Sequence, residues 1–205
     1  MSIAVIGMGN IGGTLGSRWR AAGQDVVYGS RSASGQGPGG APIGPIGVAI
    51  GSADVVVLAV PGRAAAEVIG EHGAALTGKT VIDAMNTQAS LEELGGLPSS
   101  AFVAKVFTGA RLVKGFNHLV AAALDQDPSV HGGRRVVFLA SDDGGAAAEI
   151  GALAENPGFA PVKLGGFRKV DCLCTRAERA GVTSDRMRFC SQAVFMHRRT
   201  FPRSP

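Results

Sequence analysis

The residues with the clearest chemical purpose form a glycine-rich turn near the start of the chain. Gly7, Gly9 and Gly12 match the pattern G-x-G-x-x-G, between a short apolar run and a helical segment. In that setting the three glycines permit a tight turn, close approach to a pyrophosphate and close helix–strand packing. Amides near Asn10 and Ile11 would face the phosphate. The turn predicts a dinucleotide site, and a glycine-rich turn without a ligand is the weaker alternative.

A second chemical feature lies at the end of the next apolar run and concerns the choice of dinucleotide. An NAD site needs an acid there for the ribose 2′-hydroxyl. This chain instead has Ser30, Arg31 and Ser32 after Gly29, and Asp25 lies too far back. Arginine binds a 2′-phosphate bidentately, and the two serines can donate to it. We therefore predict NADP as the cofactor, with a solvated turn arginine as the alternative.

Other catalytic and metal-binding patterns are missing from the sequence. There is no Ser/His/Asp set, no pair of histidines at metal-ligand spacing on a helix and no G-x-S-x-G turn, so we predict no catalytic side chain. Cys172, Cys174 and Cys190 would need a fourth ligand such as His197, and their spacing supports a metal site only weakly. Reduced thiols are the better interpretation, and we predict no metal.

These residues require a framework of alternating strands and helices. Apolar runs predict strands at 3–6, 25–29, 54–60, 80–84, 111–116, 135–140 and 161–164, and helices at 11–22, 63–76 and 146–154. Such alternation implies parallel strands joined by right-handed crossovers. We therefore predict an α/β fold, a Rossmann-like, doubly wound and mostly parallel sheet. Ser141 or Asp142 should cap the third helix. Glycine and proline in 32–47 predict a short or irregular second crossover.

Composition bounds the class of protein. The chain has 205 residues, enough for one domain with a small appendage. It contains no apolar run near the roughly 20 residues of a membrane span. A strand begins within three residues of the start, which leaves no room for a signal peptide, so we expect a cytoplasmic protein.

Taken together, the motifs resemble those of the NADP oxidoreductases that depend on coenzyme F420. The turn matches the family's G-x-G-N-[IL]-G, and residues 29–31 match its Gly-Ser-Arg strand end. Residues 54–61 are similar to D-V-V-x-L-A-V-P, residues 80–86 to V-x-D-x-x-N, and residues 110–117 to A-R-x-V-K-A-F-N. Asp142 and Asp143 match an acidic pair. The resemblance covers residues 2–166.

The resemblance implies an oxidoreductase that passes a hydride between NADPH and a deazaflavin (F420) or flavin-like acceptor, in a homodimer. Such a transfer needs orientation and exclusion of water more than an acid or base. An NADPH-dependent imine or carbonyl reductase and a non-catalytic NADP sensor or scaffold stay open as alternatives. Gly35 and Gln36 stand where the family often has a basic residue, which would weaken NADP binding.

The resemblance also implies roles for individual residues. Met8, Gly9, Asn10 and Ile11 would contact the pyrophosphate, and Ser30 and Arg31 would bind the 2′-phosphate. Ala59, Val60 and Pro61 would border the nicotinamide ribose. Asn86, Asn117 and His118 would line a substrate pocket.

The chain changes character near Gly166. Residues 1–162 carry a net charge of −3 and residues 163–205 one of +7, and all three cysteines lie in the basic part. We therefore divide the chain into a domain at 1–166 and an extension at 167–205. The extension is a divergent helical segment, a basic arm for nucleic acid or an acidic partner, or an out-of-frame translation, and its end has a disordered composition. The coincident changes favour the last. A nucleic-acid partner rests on this extension alone and ranks last, and no membrane partner is expected.

Overall fold

The computed structural model describes residues 1–31, 34–86, 103–105, 107, 109–130 and 132–167. Its strands are β1 (Ser2–Ile6), β2 (Asp25–Ser30), β3 (Gly35–Gln36), β4 (Pro42–Pro45), β5 (Val55–Leu58), β6 (Thr80–Asp83), β7 (Arg111–Gly115), β8 (Ser129–Val130), β9 (Gly133–Arg134), β10 (Val136–Ala140) and β11 (Ala160–Gly165). Its helices are α1 (Asn10–Ala21), α2 (Ile46–Ser52), α3 (Gly62–Leu76), α4 (Ala121–Asp125) and α5 (Gly144–Glu155), with a 3₁₀ turn at Pro38–Gly40.

One sheet organises the described part of the chain, in the strand order β11-β10-β7-β6-β5-β1-β2-β4-β3, and β8 and β9 pair separately. The strand β1 lies between β2 and β5 and is parallel to both. The chain therefore moves to one side of β1 first and returns to the other side at β5. That reversal opens a crevice at the carboxyl end of β1, where ligands of open α/β sheets bind.

The predicted α/β fold with a mostly parallel sheet is confirmed, with one change of direction. The strand β10 runs antiparallel to β7, and β11 then lies parallel to β10. The sheet is therefore mostly parallel, as predicted, with one antiparallel pair of strands at this edge. A short helix and the β8–β9 hairpin stand between β7 and β10, in place of a long crossover helix. An antiparallel return needs no long crossover.

Helices cover both faces of the sheet, which explains why the central strands β1 and β5 are continuous apolar runs. In β1, Ile3 and Val5 face a core that includes Leu15 and Trp19 of α1 and residues of α5. The alternate residues of β1 face a second core built with α2 and α3. Successive side chains of a strand point to opposite faces, so a strand covered on both sides reads as a continuous apolar run.

The glycine-rich segment after β2 has more structure than its composition predicts. It forms β3, a 3₁₀ turn and β4, which extend the sheet beyond β2, and α2 follows directly. A Cβ at Gly37 would lie 2.8 Å from the Tyr28 ring, and one at Gly39 would lie 3.0 Å from Ser17. Glycine is therefore required here by close packing against β2 and α1. The crossover helix that follows, α2, has 7 residues, in agreement with the predicted short or irregular second crossover.

The cap of α5 also differs from the prediction, because Ser141 and Asp142 have other partners. Asp143 accepts a hydrogen bond from the Ala146 amide and caps the helix. The Ser141 hydroxyl donates to the Leu112 carbonyl, and Asp142 accepts from the amide of Phe167. Phe167 is buried at the end of the described chain.

The two remaining predictions about the fold concern membrane-spanning helices and the basic extension. None of the helices in the described ranges has both the length and the hydropathy of a membrane span. The explanations offered for the basic extension concern residues 168–205, which lie outside the described residues.

Candidate functional site

The turn between β1 and α1 requires glycine at two of the three glycine positions of the G-x-G-x-x-G pattern, because of packing and backbone conformation within the fold. Gly7 has φ of +106°, which side-chain-bearing residues rarely adopt, and its Cβ would lie 2.5 Å from the Ala59 carbonyl oxygen. A Cβ on Gly12 would lie 1.9 Å from the carbonyl oxygen of Gly7. The turn, the helix and the segment after β5 are therefore pressed together, as the predicted turn geometry requires.

Gly9 is different, because nothing in the described fold requires glycine there. A Cβ on Gly9 would meet no described atom within 4 Å, its chain neighbours aside. Its backbone is extended, with φ of −70°, which any residue adopts. Gly9 is also the N-cap of α1 and provides no side-chain hydrogen bond to the helix. The space above Gly9 and the uncapped helix start together form an open cradle beside solvent-exposed Asn10.

The other predicted pyrophosphate residues contribute to this cradle through their backbone. The side chains of Met8 and Ile11 pack against the core that contains α1. Their position at the helix start is the one that presents amides to an anion. An anionic phosphate is therefore the group that the cradle suits on charge and on space.

Arg31 lies immediately after β2, on one side of the crevice. Its Nη1 is 3.1 Å from Oε2 of Glu67 in α3. Both side chains are largely exposed, at 75% and 51%. The guanidinium is therefore at the predicted strand end but already has an anionic neighbour. Ser30 precedes it at the strand end, and Ser32 lies outside the described residues.

The segment after β5 forms the other side of the crevice. Ala59 and Val60 contact the turn, since a Cβ on Gly7 would be 2.8 Å from a methyl carbon of Val60. The Ala59 amide donates to the carbonyl of Ile6 at 3.0 Å, which ties this segment to β1. Pro61 is the N-cap of α3. The predicted ribose-bordering residues thus lie beside the glycine turn.

Two asparagines meet where β6 and β7 end. The side-chain amide of Asn86 donates to the Asn117 carbonyl at 2.9 Å, and that of Asn117 donates to the Asn86 side-chain oxygen at 3.1 Å. Asn86 is exposed and Asn117 is half-buried. The structure therefore brings together these two predicted pocket residues, as a polar pair at the carboxyl edge of the sheet.

Phe116 determines how the chain leaves β7 towards this pair. It has φ of +64°, an uncommon conformation for a residue with a bulky side chain. The ring is fully buried and packs edge-to-face on Trp19 at 5.6 Å and Phe159 at 6.4 Å between ring centroids. This packing offsets the backbone strain and directs the next residue, Asn117, to its partner.

His118, the third predicted pocket residue, faces a different strand. Its ring nitrogen Nε2 lies 3.4 Å from the Val136 carbonyl, and the ring centroid lies 5.0 Å from that of Phe138. Burial lowers the pKa of His118, and the hydrogen bond that the ring donates to the Val136 carbonyl opposes this only in part. The ring therefore holds β10 as a neutral imidazole, and these contacts favour a structural role.

A buried ion pair behind the asparagines was not singled out from the sequence. Lys114 Nζ lies 3.2 Å from Asp83 Oδ1, and the side chains are only 4% and 1% exposed. Lys114 also donates to the Met85 carbonyl, while Asp83 accepts from the Met85 amide at 3.0 Å. The pair therefore holds both polar backbone groups of the residue before Asn86. The available signal was a charged residue in each of the apolar segments 80–84 and 111–116, Asp83 and Lys114.

Metal binding finds no support in the part of the chain that the structure describes. No group of three or more His, Cys, Asp or Glu side chains is placed to hold an ion there. The predicted thiols Cys172, Cys174 and Cys190, together with His197, lie outside the described residues. The prediction on those residues stays untested.

Comparisons with known proteins agree with the fold and indicate a family. Residues 2–87 match the family model described as NADP oxidoreductase, coenzyme F420-dependent. A hypothetical protein from Sinorhizobium meliloti is 31% identical, with 86% of this chain and 91% of that chain covered and a TM-score of 0.75. A protein from Arthrobacter sp. FB24, described as a candidate F420-dependent NADP reductase, is 23% identical, with 82% and 86% covered and a TM-score of 0.67.

A further similarity concerns the fold alone. The imine reductase of Streptomyces aurantiacus is 18% identical, with a TM-score of 0.60 over 83% of this chain and 58% of that chain.

The matched family region carries most of the site. Residues 2–87 include the glycine turn, Arg31, the segment after β5 and Asn86, whereas Asn117 and His118 lie beyond it. The Sinorhizobium protein extends the similarity over nearly the whole of both chains. The chain therefore belongs to the family of coenzyme F420-dependent NADP oxidoreductases.

Proposed function

We propose that this protein binds NADPH in the crevice at the carboxyl end of β1 and transfers a hydride between it and a deazaflavin, F420, or a flavin-like acceptor. The observation that carries the proposal is the contrast among the three glycines. Gly7 and Gly12 are explained by packing within the fold, but Gly9 is not. A pyrophosphate against the backbone is the physical reason for glycine at this position.

The charges around the crevice favour the phosphorylated dinucleotide. Arg31 follows β2 at the position where an NAD site has an acid. A guanidinium binds a phosphate by paired, charge-assisted hydrogen bonds. The uncapped start of α1 adds partial positive charge for the pyrophosphate.

Hydride transfer needs positioning of the two rings more than it needs a reactive side chain. When bound, NADPH supplies a hydride and becomes NADP⁺, and the acceptor takes up that hydride with a proton. The residues of this chain would hold the two ring systems together and exclude water. Ala59 and Val60 offer an apolar border next to the glycine turn, and Asn86 and Asn117 offer amide groups that can orient a polar ring edge. No described side chain needs to act as an acid or base for this step.

The test begins with NADPH binding, followed by nicotinamide fluorescence. Gly9→Ala should fold as stably as the wild type and bind NADPH about 10- to 100-fold more weakly, because a methyl group displaces the pyrophosphate from the amides. Arg31→Ala should lose a similar factor for NADPH and little for NADH. Gly70→Ala is the matched control, since Gly70 in α3 also has open space around its Cβ. It should bind as the wild type does.

The second step is turnover. Oxidised F420, or FMN in a parallel reaction, is added to the NADPH complex, and the loss of nicotinamide fluorescence is followed. Oxidation by either acceptor supports the proposed transfer. Binding without oxidation would contradict it and favour an NADP sensor. Equal NADPH affinity in the wild type and Gly9→Ala would refute the proposed site.

A further inference from the structure

The arginine proposed to hold the 2′-phosphate already has an anionic partner. Glu67 Oε2 lies 3.1 Å from Arg31 Nη1. Arg31 follows β2 and Glu67 belongs to α3, which follows β5, so the ion pair joins elements from the two sides of β1. It therefore lies beside the crevice, and a ligand phosphate that reaches Arg31 also meets the Glu67 carboxylate.

The exposure of this pair makes it responsive to a ligand. The side chains are 75% and 51% exposed, so water competes with their attraction and the pair adds little to stability. A phosphate can displace the carboxylate from the guanidinium. The carboxylate nevertheless stays on α3 nearby, and its negative charge opposes the arriving phosphate.

The same carboxylate has the chemistry that recognises an unphosphorylated ribose. In dinucleotide sites specific for NAD, an acid accepts a hydrogen bond from the 2′-hydroxyl. That acid usually ends the second strand, where this chain has Arg31. Here an acid reaches the same arginine from a helix on the other side of β1.

We propose that Glu67 is a specificity-determining residue that narrows the preference for NADPH over NADH. It competes with the 2′-phosphate for Arg31, and it accepts the 2′-hydroxyl of NADH when the phosphate is absent. This inference rests on the proposed NADPH site and adds NADH as a second coenzyme that the site takes.

The test is the ratio of NADPH to NADH affinity in Glu67→Gln, an isosteric change at an exposed position. NADPH should bind about two- to fivefold more tightly, because its phosphate no longer competes with a carboxylate. NADH should bind about two- to threefold more weakly, because an amide oxygen is a poorer acceptor than a carboxylate. A ratio within twofold of the wild-type value would overturn the inference.

The matched control is Glu71→Gln, one helical turn further along α3. Glu71 is an exposed acid whose Oε2 lies 3.7 Å from Nε2 of His72, so this variant changes the net charge equally without touching Arg31. It should leave the ratio unchanged. An effect as large as that of Glu67→Gln would assign the change to overall charge and overturn the inference.

Two further variants separate this inference from the proposed function. In an Arg31→Ala background, Glu67→Gln should change NADPH affinity less than in the wild type, because the competition for the guanidinium is gone. Equal effects in both backgrounds would contradict the competition. If Arg31→Ala itself leaves NADPH affinity intact, the proposed 2′-phosphate site fails. If Arg31→Ala weakens binding but Glu67→Gln leaves the ratio unchanged, only the inference about Glu67 fails.

Discussion

Replacing Lys114 by Met should cost this protein a large part of its stability, because it leaves a buried carboxylate without its cation. Asp83 and Lys114 are directly paired in the register of β6 and β7, with 3.2 Å between Oδ1 and Nζ. Their side chains are almost inaccessible to water. Asp83 would keep only the Met85 amide as a donor, and its Oδ2 is already without a hydrogen-bond partner among the described residues.

The expected loss follows from the energetics of buried ion pairs. Removing one partner of such a pair typically costs about 3–5 kcal/mol, against a total stability of about 5–15 kcal/mol for a domain. Replacing both partners with apolar residues of similar size removes the uncompensated charge. The double variant Asp83→Leu/Lys114→Met should therefore lose less than the sum of the single losses. It should not recover fully, since the unpaired amide and carbonyl of Met85 each cost about 1–3 kcal/mol.

The assay is urea denaturation followed by far-ultraviolet circular dichroism, on the wild type, both single variants and the double variant. The four free energies of unfolding form a double-mutant cycle, in which a coupling of about 2 kcal/mol or more is expected. Additive losses, or a loss below about 1 kcal/mol in Lys114→Met, would refute the view that this pair is an intact buried ion pair.

Two further predictions concern the end of β7. Because burial lowers the pKa of His118, the unfolded chain binds a proton there at higher pH than the folded chain does. The His118 contribution to stability is complete above about pH 6.5 and is lost as the pH falls towards the lowered pKa, so His118→Gln should flatten the acid side of a stability–pH curve measured by thermal unfolding. An unchanged slope would contradict this role. Asn117→Ala should reduce the rate of NADPH oxidation about tenfold with little change in NADPH affinity, because it removes one orienting hydrogen bond. Equal losses in rate and affinity, measured by stopped-flow and fluorescence titration, would assign Asn117 to cofactor binding instead.

The sequence is most informative where one physical demand acts locally. A strand covered on both faces must be apolar throughout, and this locates β1 and β5 from the chain alone. The turn at Gly7 and Gly12 is equally readable, because backbone conformation and close packing exclude side chains there. These two signals were enough to predict the strand, turn and helix that border the crevice at the carboxyl end of β1.

The sequence is least informative where the demand comes from a distant part of the chain. Gly37 and Gly39 look like the glycines of a loop, yet they are small because Tyr28 and Ser17 pack against them. The direction of β10 relative to β7 likewise cannot be predicted from the residues of β10. Its apolar pattern is the same whether it lies parallel or antiparallel to β7.

Ion pairs at the site depend on register and were therefore missed. Arg31 and Glu67 are separated by 36 residues. They come into contact only because the chain passes from β2, on one side of β1, to β5 and α3, on the other. The expectations of a homodimer and of a cytoplasmic location have no counterpart in the described structure and stay predictions.

The shared family motifs divide according to the edge of the sheet on which each residue lies. Arg111 begins β7, and its guanidinium binds Asp143 at 2.9 Å and Glu149 at 3.1 Å, which ties the amino edge of β7 to the start of α5. The hydrogen bond from Arg111 lowers the pKa of Asp143. Asn117, in the same motif, follows the opposite end of β7 and pairs with Asn86. Since ligands of an open parallel sheet bind at the carboxyl edge, only the second half of this motif lies where the proposed ligand would bind. Arg111 and Asn117 are six positions apart in one motif, yet Arg111 stabilises the fold and Asn117 lies at the candidate site. The direction of β7 accounts for this difference, because it places the two residues at opposite edges of the sheet.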